Sequence, residues 1–252
     1  LQQIRAILDL NPPGKGDMAL REQVFLDLDV YLQKPDADVN RDLWGFYNMQ
    51  IAGIAQELAQ PVPAGARIWK MYNLGYIVKT PSSTMAFDLV DAPSYVWPNA
   101  FTLPDSVLRQ IDVLFASHNH PDHISRRVRG VANRYRQLGG TVIGPPPDSF
   151  PAGTEATIKG LKIKAFYGHH SVPDNLYHVT TQEGLRILHS GDVDRIYDFP
   201  AGITDIFLNG LWNEADFRTI IKRDRPALTI PGHIHELMQY FHPDWGGGPG
   251  PY

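Results

Sequence analysis

The chain has 252 residues, a formal net charge of −4 and no cysteine. That length is near the upper end of what one hydrophobic core serves, and the weak negative charge gives no long-range attraction to nucleic acid or an anionic membrane. The missing thiols exclude disulfides, a thiol nucleophile and thiolate ligands, so any metal has to be held by imidazole and carboxylate.

In the first 65 residues, amphipathic spacing predicts helices over 18–33 and 41–59, separated by a polar stretch at 34–40. Pro61-Val62-Pro63-Ala64-Gly65 reads as a join. Residues 1–65 are therefore expected to form a helical extension and 66–252 the main domain, packed as one unit, with a lid or dimer contact as the alternative role for the extension. From residue 68 the pattern changes to short β-type runs at 68–71, 75–79, 84–88, 113–117, 141–143, 161–166, 177–181, 186–189, 205–209 and 227–230. Pro81-Ser82-Ser83 and Gln182-Glu183-Gly184 each join two runs as hairpins. Helical patterns fall at 103–110, 125–138 and 214–223. Mixed sheets with helices outside them, an α/β layered domain, is the expected class. Gly246-Gly247-Gly248-Pro249-Gly250-Pro251 cannot continue a helix and reads as a tail.

The chemistry concentrates at His118-Asn119-His120-Pro121-Asp122-His123, an HxHxDH cluster directly after the apolar run 113–117. Three imidazoles and a carboxylate within one loop are the donors that borderline metals such as Zn²⁺ prefer, and a strand end holds them with little reorganisation. Two metals need more ligands, and further donors occur at other strand ends: His169-His170 after the run at 161–166, Gly191-Asp192 after 186–189, and His233 after 227–230. Adjacent histidines in extended backbone point to opposite faces, so only one of His169 and His170 is expected to bind, and His233 and His235 pose the same choice.

This ordered set resembles the metallo-β-lactamase superfamily over about residues 68–235. Smaller features are similar to the ascorbate-6-phosphate lactonase branch, and His170-Ser171-Val172-Pro173-Asp174 also resembles a segment of ribonuclease J. The resemblance implies a four-layer αββα sandwich, here with the N-terminal helical extension, and two divalent metals at one edge. It implies His118, His120 and His170 on the first metal, Asp122, His123 and His233 on the second, and Asp192 between them. His170 is preferred over His169 because the family's His-Ser pair fits there, and Pro231-Gly232-His233 fits the family's final segment better than His235. Zn²⁺ suits imidazole and carboxylate, with Mn²⁺, Fe²⁺ and Ni²⁺ admissible.

The implied activity is that of a binuclear hydrolase, in which a hydroxide shared by the metals attacks a small ester, lactone or phosphoester and Asp122 orients it. No Gly-x-Ser-x-Gly elbow offers a competing serine nucleophile. A nuclease or phosphodiesterase is the first alternative, on His-Ser-Val-Pro-Asp and the arginines Arg126, Arg127, Arg129, Arg134 and Arg136, which otherwise read as a solvated helix face. The negative charge and the lack of an added nucleic-acid-binding domain weigh against it. A non-catalytic metal-binding protein is the second alternative. His120 stands where an oxygen-chemistry variant of the fold has a carboxylate, and Ile124-Ser125-Arg126 stands where glutathione thioester hydrolases have Gly-Gly, so both assignments are disfavoured. Residues 209–213, with Trp212, and more weakly Tyr72 and Asn73, are candidates for a pocket wall; His178, His189 and His242 read as packing residues. A small-molecule partner is expected, with no membrane span because no apolar run nears roughly 20 residues. Leu1 is compatible with a removed signal peptide, so a cytoplasmic and an exported protein both remain open, as does the oligomeric state.

Overall fold

The computed structural model describes residues 2–11, 16–17, 19–20, 23–24, 27, 37–91, 102–124, 130–170, 172–197, 203–211 and 213–232. The chain divides into two compact units, Leu1–Ala52 with Ile234–Tyr252, and Gly53–His233. Two helices are described near the N-terminus, α1 (Gln2–Leu10), which the sequence pattern did not suggest, and α2 (Ala37–Ala59), which starts four residues before its expected position. The helix expected over 18–33 lies mostly outside the described residues.

The unit Gly53–His233 is built on two sheets. The first has the order β1 (Arg67–Lys70), β2 (Tyr76–Lys79), β3 (Thr84–Phe87), β4 (Val113–Phe115) and β5 (Thr141–Ile143). The second runs β10 (Arg195–Ile196), β7 (Leu161–His169), β8 (Asp174–Thr180), β9 (Arg186–His189), β11 (Ile206–Asn209) and β12 (Leu228–Pro231), with β6 (Glu155–Ile158) paired to β7. Both expected hairpins are present, β2 antiparallel to β3 and β8 antiparallel to β9. β6 and β10 were not anticipated. β6 alternates exposed and half-buried residues and β10 has two residues, so neither carries an apolar run.

The layers follow from alternation along the strands. Tyr76, Val78, Met85, Phe87, Val113 and Phe115 of the first sheet meet Leu161, Ile163, Ala165, Tyr177, Val179 and Leu208 of the second in one buried core. Their neighbours along the chain turn outward into different layers. Phe166, Leu176, Leu188 and Phe207 pack with Ile220 and Phe217 of helix α5 (Glu214–Asp224). On the far side of the first sheet, Ile77, Ala86 and Leu114 are buried, and helix α4 (Val131–Gln137) buries Val131, Ala132 and Tyr135 next to β5. The result is the expected α/β architecture with two sheets between helical layers.

Helix ends follow local chemistry. The Asn213 side chain accepts from the Ala215 and Asp216 amides at 2.9 and 3.2 Å, Lys222 and Arg223 lie in the last turn of α5, and Arg225 closes it in the left-handed region at φ 49°. The helix expected over 103–110 is the single turn α3 (Asp105–Leu108). That expected over 125–138 is described as α4 from Val131, residues 125–129 lying outside the described set.

Strand direction decides where the polar residues emerge. β3 and β4 are parallel, so Asp88 and Ser117 leave the first sheet at the same edge. β9, β11 and β12 are mutually parallel, so the residues after them also share an edge. β8 runs antiparallel to both β7 and β9, which brings the end of β7, the start of β8 and the end of β9 together. The Asn175 amide at the start of β8 donates to the Ser117 carbonyl at 2.9 Å and ties the two edges to each other.

Candidate metal centre

At that joined edge, His118, His120, His170 and Asp192 each offer one ligating atom, and these atoms all lie within 4.8 Å of one another. His118 Nε2 and His120 Nδ1 are 2.9 Å apart, and Asp192 Oδ2 is 3.7 Å from His118 Nε2. The His170 ring stands edge-on to both, with centroids 5.0 Å from His118 and 5.1 Å from His120. A second group adjoins the first through the same carboxylate: His123 Nε2 is 3.0 Å from Asp192 Oδ2 and 3.3 Å from Asp122 Oδ2. Asp192 thus touches both groups. His233, His235 and His242 lie outside the described residues, as do Trp212 and Arg126, Arg127 and Arg129.

Of the adjacent histidines after β7, His170 turns inward with 16 % of its side chain exposed, and His169 outward with 55 %. His169 packs edge-on to Tyr197. Arg134 pairs with Asp105 at 3.2 Å and Arg136 with Asp148, so both are engaged with carboxylates outside the cluster. His178 bonds the Ile203 carbonyl at 3.2 Å, in keeping with its reading as a packing residue.

Beneath the donors lies a buried polar layer that sequence reasoning did not pick out. Asp88 accepts the Ser117 amide and hydroxyl, each at 2.7 Å, and faces His123 Nδ1 at 2.8 Å and His189 Nε2 at 3.5 Å. His118 Nδ1 faces the Ser117 hydroxyl at 3.0 Å and Asp174 Oδ2 at 3.3 Å. The Asp192 amide donates to that same Asp174 oxygen at 2.9 Å. The His118 and His123 rings are thus held at Nδ1 with Nε2 facing the cluster, the arrangement that fixes tautomer and orientation in metal-binding histidines. Gly191, at φ +58°, is required here twice: its backbone lies in the left-handed region, and a Cβ would run into the Asp174 carboxylate and crowd Ser117 Cβ at 2.9 Å. Asp88 and Asn73 adopt left-handed φ of 43° and 53°, and such conformations in non-glycine residues cluster at functional sites.

The electrostatics keep His118 and His120 in the neutral form and favour a charge on His123. Burial pushes His118 down to about 3, with His123 adding to the effect, and burial also lowers His120. Both are therefore neutral at pH 7, the form that ligates metal. Burial opposes ionisation of Asp88, but His189, His123 and His118 outweigh it and hold the carboxyl below its usual range. Burial likewise disfavours a charge on His123, yet Asp192 and Asp88 overcome it and raise its pKa well above the ordinary imidazole value. Asp174 is pushed far up by burial and by the neighbouring Asp192 and Asp88. The buried His170 Nδ1 makes no hydrogen bond among the described residues. Convergent imidazole and carboxylate donors with such an atom among them fit a borderline divalent metal without thiolate.

Loop 71–75 closes one side. The Asn73 amide nitrogen donates to Asp122 Oδ2 at 2.9 Å, and the loop is folded tightly by Met71 N to Gly75 O and Gly75 N to Tyr72 O, each 2.8 Å.

No protein-family model matches the chain, and no curated protein does. Solved structures do. A metallo-hydrolase from Ignicoccus hospitalis is 17 % identical, covering 70 % of this chain and 90 % of that one with a TM-score of 0.48. The metallo-β-lactamase fold protein YhfI from Bacillus subtilis is 14 % identical over 72 % and 88 % of the two chains, with a TM-score of 0.42. The diiron β-hydroxylase CmlA from Streptomyces venezuelae is 11 % identical over 70 % and 46 %, with a TM-score of 0.41. All three are 17 % identical to this chain or less, and it is the chain's own donor groups that point to its chemistry.

Proposed function

We propose that the chain is a metal-dependent hydrolase that holds two divalent ions and cleaves a small ester, lactone or phosphoester. The observation that carries this reading is the convergence of His118, His120, His170 and Asp192 within 4.8 Å, with Asp122 and His123 grouped on the other side of Asp192. In it, His118, His120 and His170 would hold one ion and Asp122, His123 and His233 the other, with Asp192, whose Oδ2 lies 3.7 Å from His118 Nε2 and 3.0 Å from His123 Nε2, as the carboxylate within reach of both groups. The donor chemistry favours Zn²⁺, with Mn²⁺, Fe²⁺ and Ni²⁺ also suited. Bound there, such ions would supply Lewis-acid chemistry, making water more acidic and drawing electron density from a carbonyl or phosphoryl oxygen.

The chain's own residues do the positioning. Asp88 and Asp174 hold the rings of His123 and His118 from behind, so that the donors need little rearrangement when metal and substrate arrive. Asp122, with 20 % of its side chain exposed, is the carboxylate from which a water could be oriented toward a substrate. No helix of the described residues is long and apolar enough to cross a membrane.

The test is metal content by elemental analysis of wild type beside Asp192→Ala, followed by assays on lactones, esters and phosphodiesters. The expected result is about two equivalents in wild type, fewer in the variant, and activity reduced by more than about 100-fold, beyond the cost of losing an outer hydrogen-bond partner. Wild type that takes up no metal even after Zn²⁺ or Mn²⁺ reconstitution would sink the proposal.

A further inference from the structure

We infer that Asn73 is a positioning residue for Asp122, braced from behind by Lys70, and that it sets the affinity of the metal position to which Asp122 belongs; this rests on the binuclear reading above. Asn73 is 2 % exposed, and its side-chain nitrogen lies 2.9 Å from Asp122 Oδ2 and 3.5 Å from the Asp122 carbonyl. One amide therefore reaches both the carboxylate and the backbone of the HxHxDH loop. The oxygen that Asn73 holds, Oδ2, is also the one that faces His123 Nε2 at 3.3 Å, so this bond fixes the rotation of the Asp122 carboxylate about its last bond.

Asn73 is itself held by its surroundings. Its φ of 53° places the carbonyl where the Lys70 Nζ donates to it, and the same Nζ donates to the Met71 carbonyl at 3.1 Å. Lys70 Nζ lies 4.7 Å from the centroid of the Tyr76 ring, and the Tyr76 hydroxyl donates to the Ile230 carbonyl at 3.1 Å. Ile230 belongs to β12, the strand that leads to His233. A continuous chain of contacts thus joins the strand before the last proposed ligand to the loop that aims Asp122. Burial pushes the Lys70 amine down to about 7, with Asp88 opposing, so this brace is made from a costly group placed out of water.

Two substitutions separate positioning from mere support of the loop. Asn73→Gly accepts the left-handed backbone without strain and deletes only the amide; Asn73→Asp keeps shape and turn compatibility but replaces the donor with an acceptor. Zn²⁺ stoichiometry and affinity by chelator competition, the spectrum of the Co²⁺-loaded protein and the melting temperature of the metal-free protein are measured for wild type and both variants. The expected result is affinity for one of the two equivalents reduced about 10- to 100-fold in both variants and its Co²⁺ spectrum altered, with a metal-free melting temperature close to wild type in Asn73→Gly and lower in Asn73→Asp, where two carboxylates meet. Lys70→Met should move the same equivalent by a smaller factor. If wild type binds two equivalents and both variants bind them with unchanged affinity and spectrum, the role of Asn73 is overturned while the hydrolase reading stands. If wild type binds no metal, both fall together.

Discussion

The floor and the rim of the donor cluster are built differently. In the floor, Asp88, Ser117, His118, Asp174 and His189 are 0 % exposed and His123 is 1 %, and they are linked by hydrogen bonds and close charge contacts centred on Asp88 and Asp174. In the rim, the His170 side chain is 16 % and that of Asp122 20 % exposed, and the inward rings stand 5.0 to 5.1 Å apart between centroids. Groups that lose these buried hydrogen bonds and charge contacts have no water to replace them, so the floor is bound up with folding. The rim has solvent as an alternative partner and can serve binding with little cost to the fold. Stability and metal affinity should therefore respond to different substitutions.

The largest effect on folding is expected at the floor. Asp88→Ala leaves the Ser117 amide and hydroxyl without their acceptor, and leaves His123 and His189 without the carboxylate between them. Removing one partner of a buried charged pair costs about 3–5 kcal/mol. Denaturant unfolding of the metal-free protein should show a loss of that order, and a loss under about 1 kcal/mol, the worth of one ordinary hydrogen bond, would contradict the central place given to Asp88.

Gly191→Ala should come next, at about 1–3 kcal/mol, because the added methyl must displace the Asp174 carboxylate or Ser117 from the left-handed turn. That displacement also moves the Asp192 amide off Asp174. Metal affinity should therefore fall along with stability, read by unfolding and by chelator competition on one sample. A stability loss with unchanged metal affinity would separate the turn from the ligand it carries.

The same contrast explains what could be read from residues alone. The donors that converge arise in recognisable order at the ends of apolar runs: His118 and His120 after β4, His170 after β7, Asp192 after β9. Each run has the length and β-branched content of a strand, so its end is visible in the sequence. The two hairpins were legible because Pro81-Ser82-Ser83 and Gln182-Glu183-Gly184 interrupt such runs. Asp88 also follows a strand, but one carboxylate before Leu89 and Val90 looks like an ordinary turn until the parallel pairing of β3 and β4 puts it beside Ser117. Asp174 ends the His-Ser-Val-Pro-Asp segment, yet its partners His118 and Asp192 are distant in sequence. Long-range pairing, absent from any local pattern, decides the floor.

The smallest effect on folding, and the sharpest on binding, is expected where two neighbours face opposite ways. His169 follows the outward alternation of β7, 55 % exposed and edge-on to Tyr197; His170, one residue beyond the strand, is turned toward His118 and His120. Both His169→Ala and His170→Ala remove a group that no core depends on, so metal-free stability should change by no more than about 0.5 kcal/mol in either. In the presence of metal they should diverge. Binding to the native state alone stabilises by about 2.7 kcal/mol at a hundredfold excess over Kd, so adding Zn²⁺ should raise the melting temperature of wild type and His169→Ala alike. His170→Ala should lose most of that rise, because one of the ions is left with His118, His120 and Asp192 only. An equal rise in both variants would mean that the inward ring is not a ligand, and the first metal position would then have to be completed from the residues beyond Gly232.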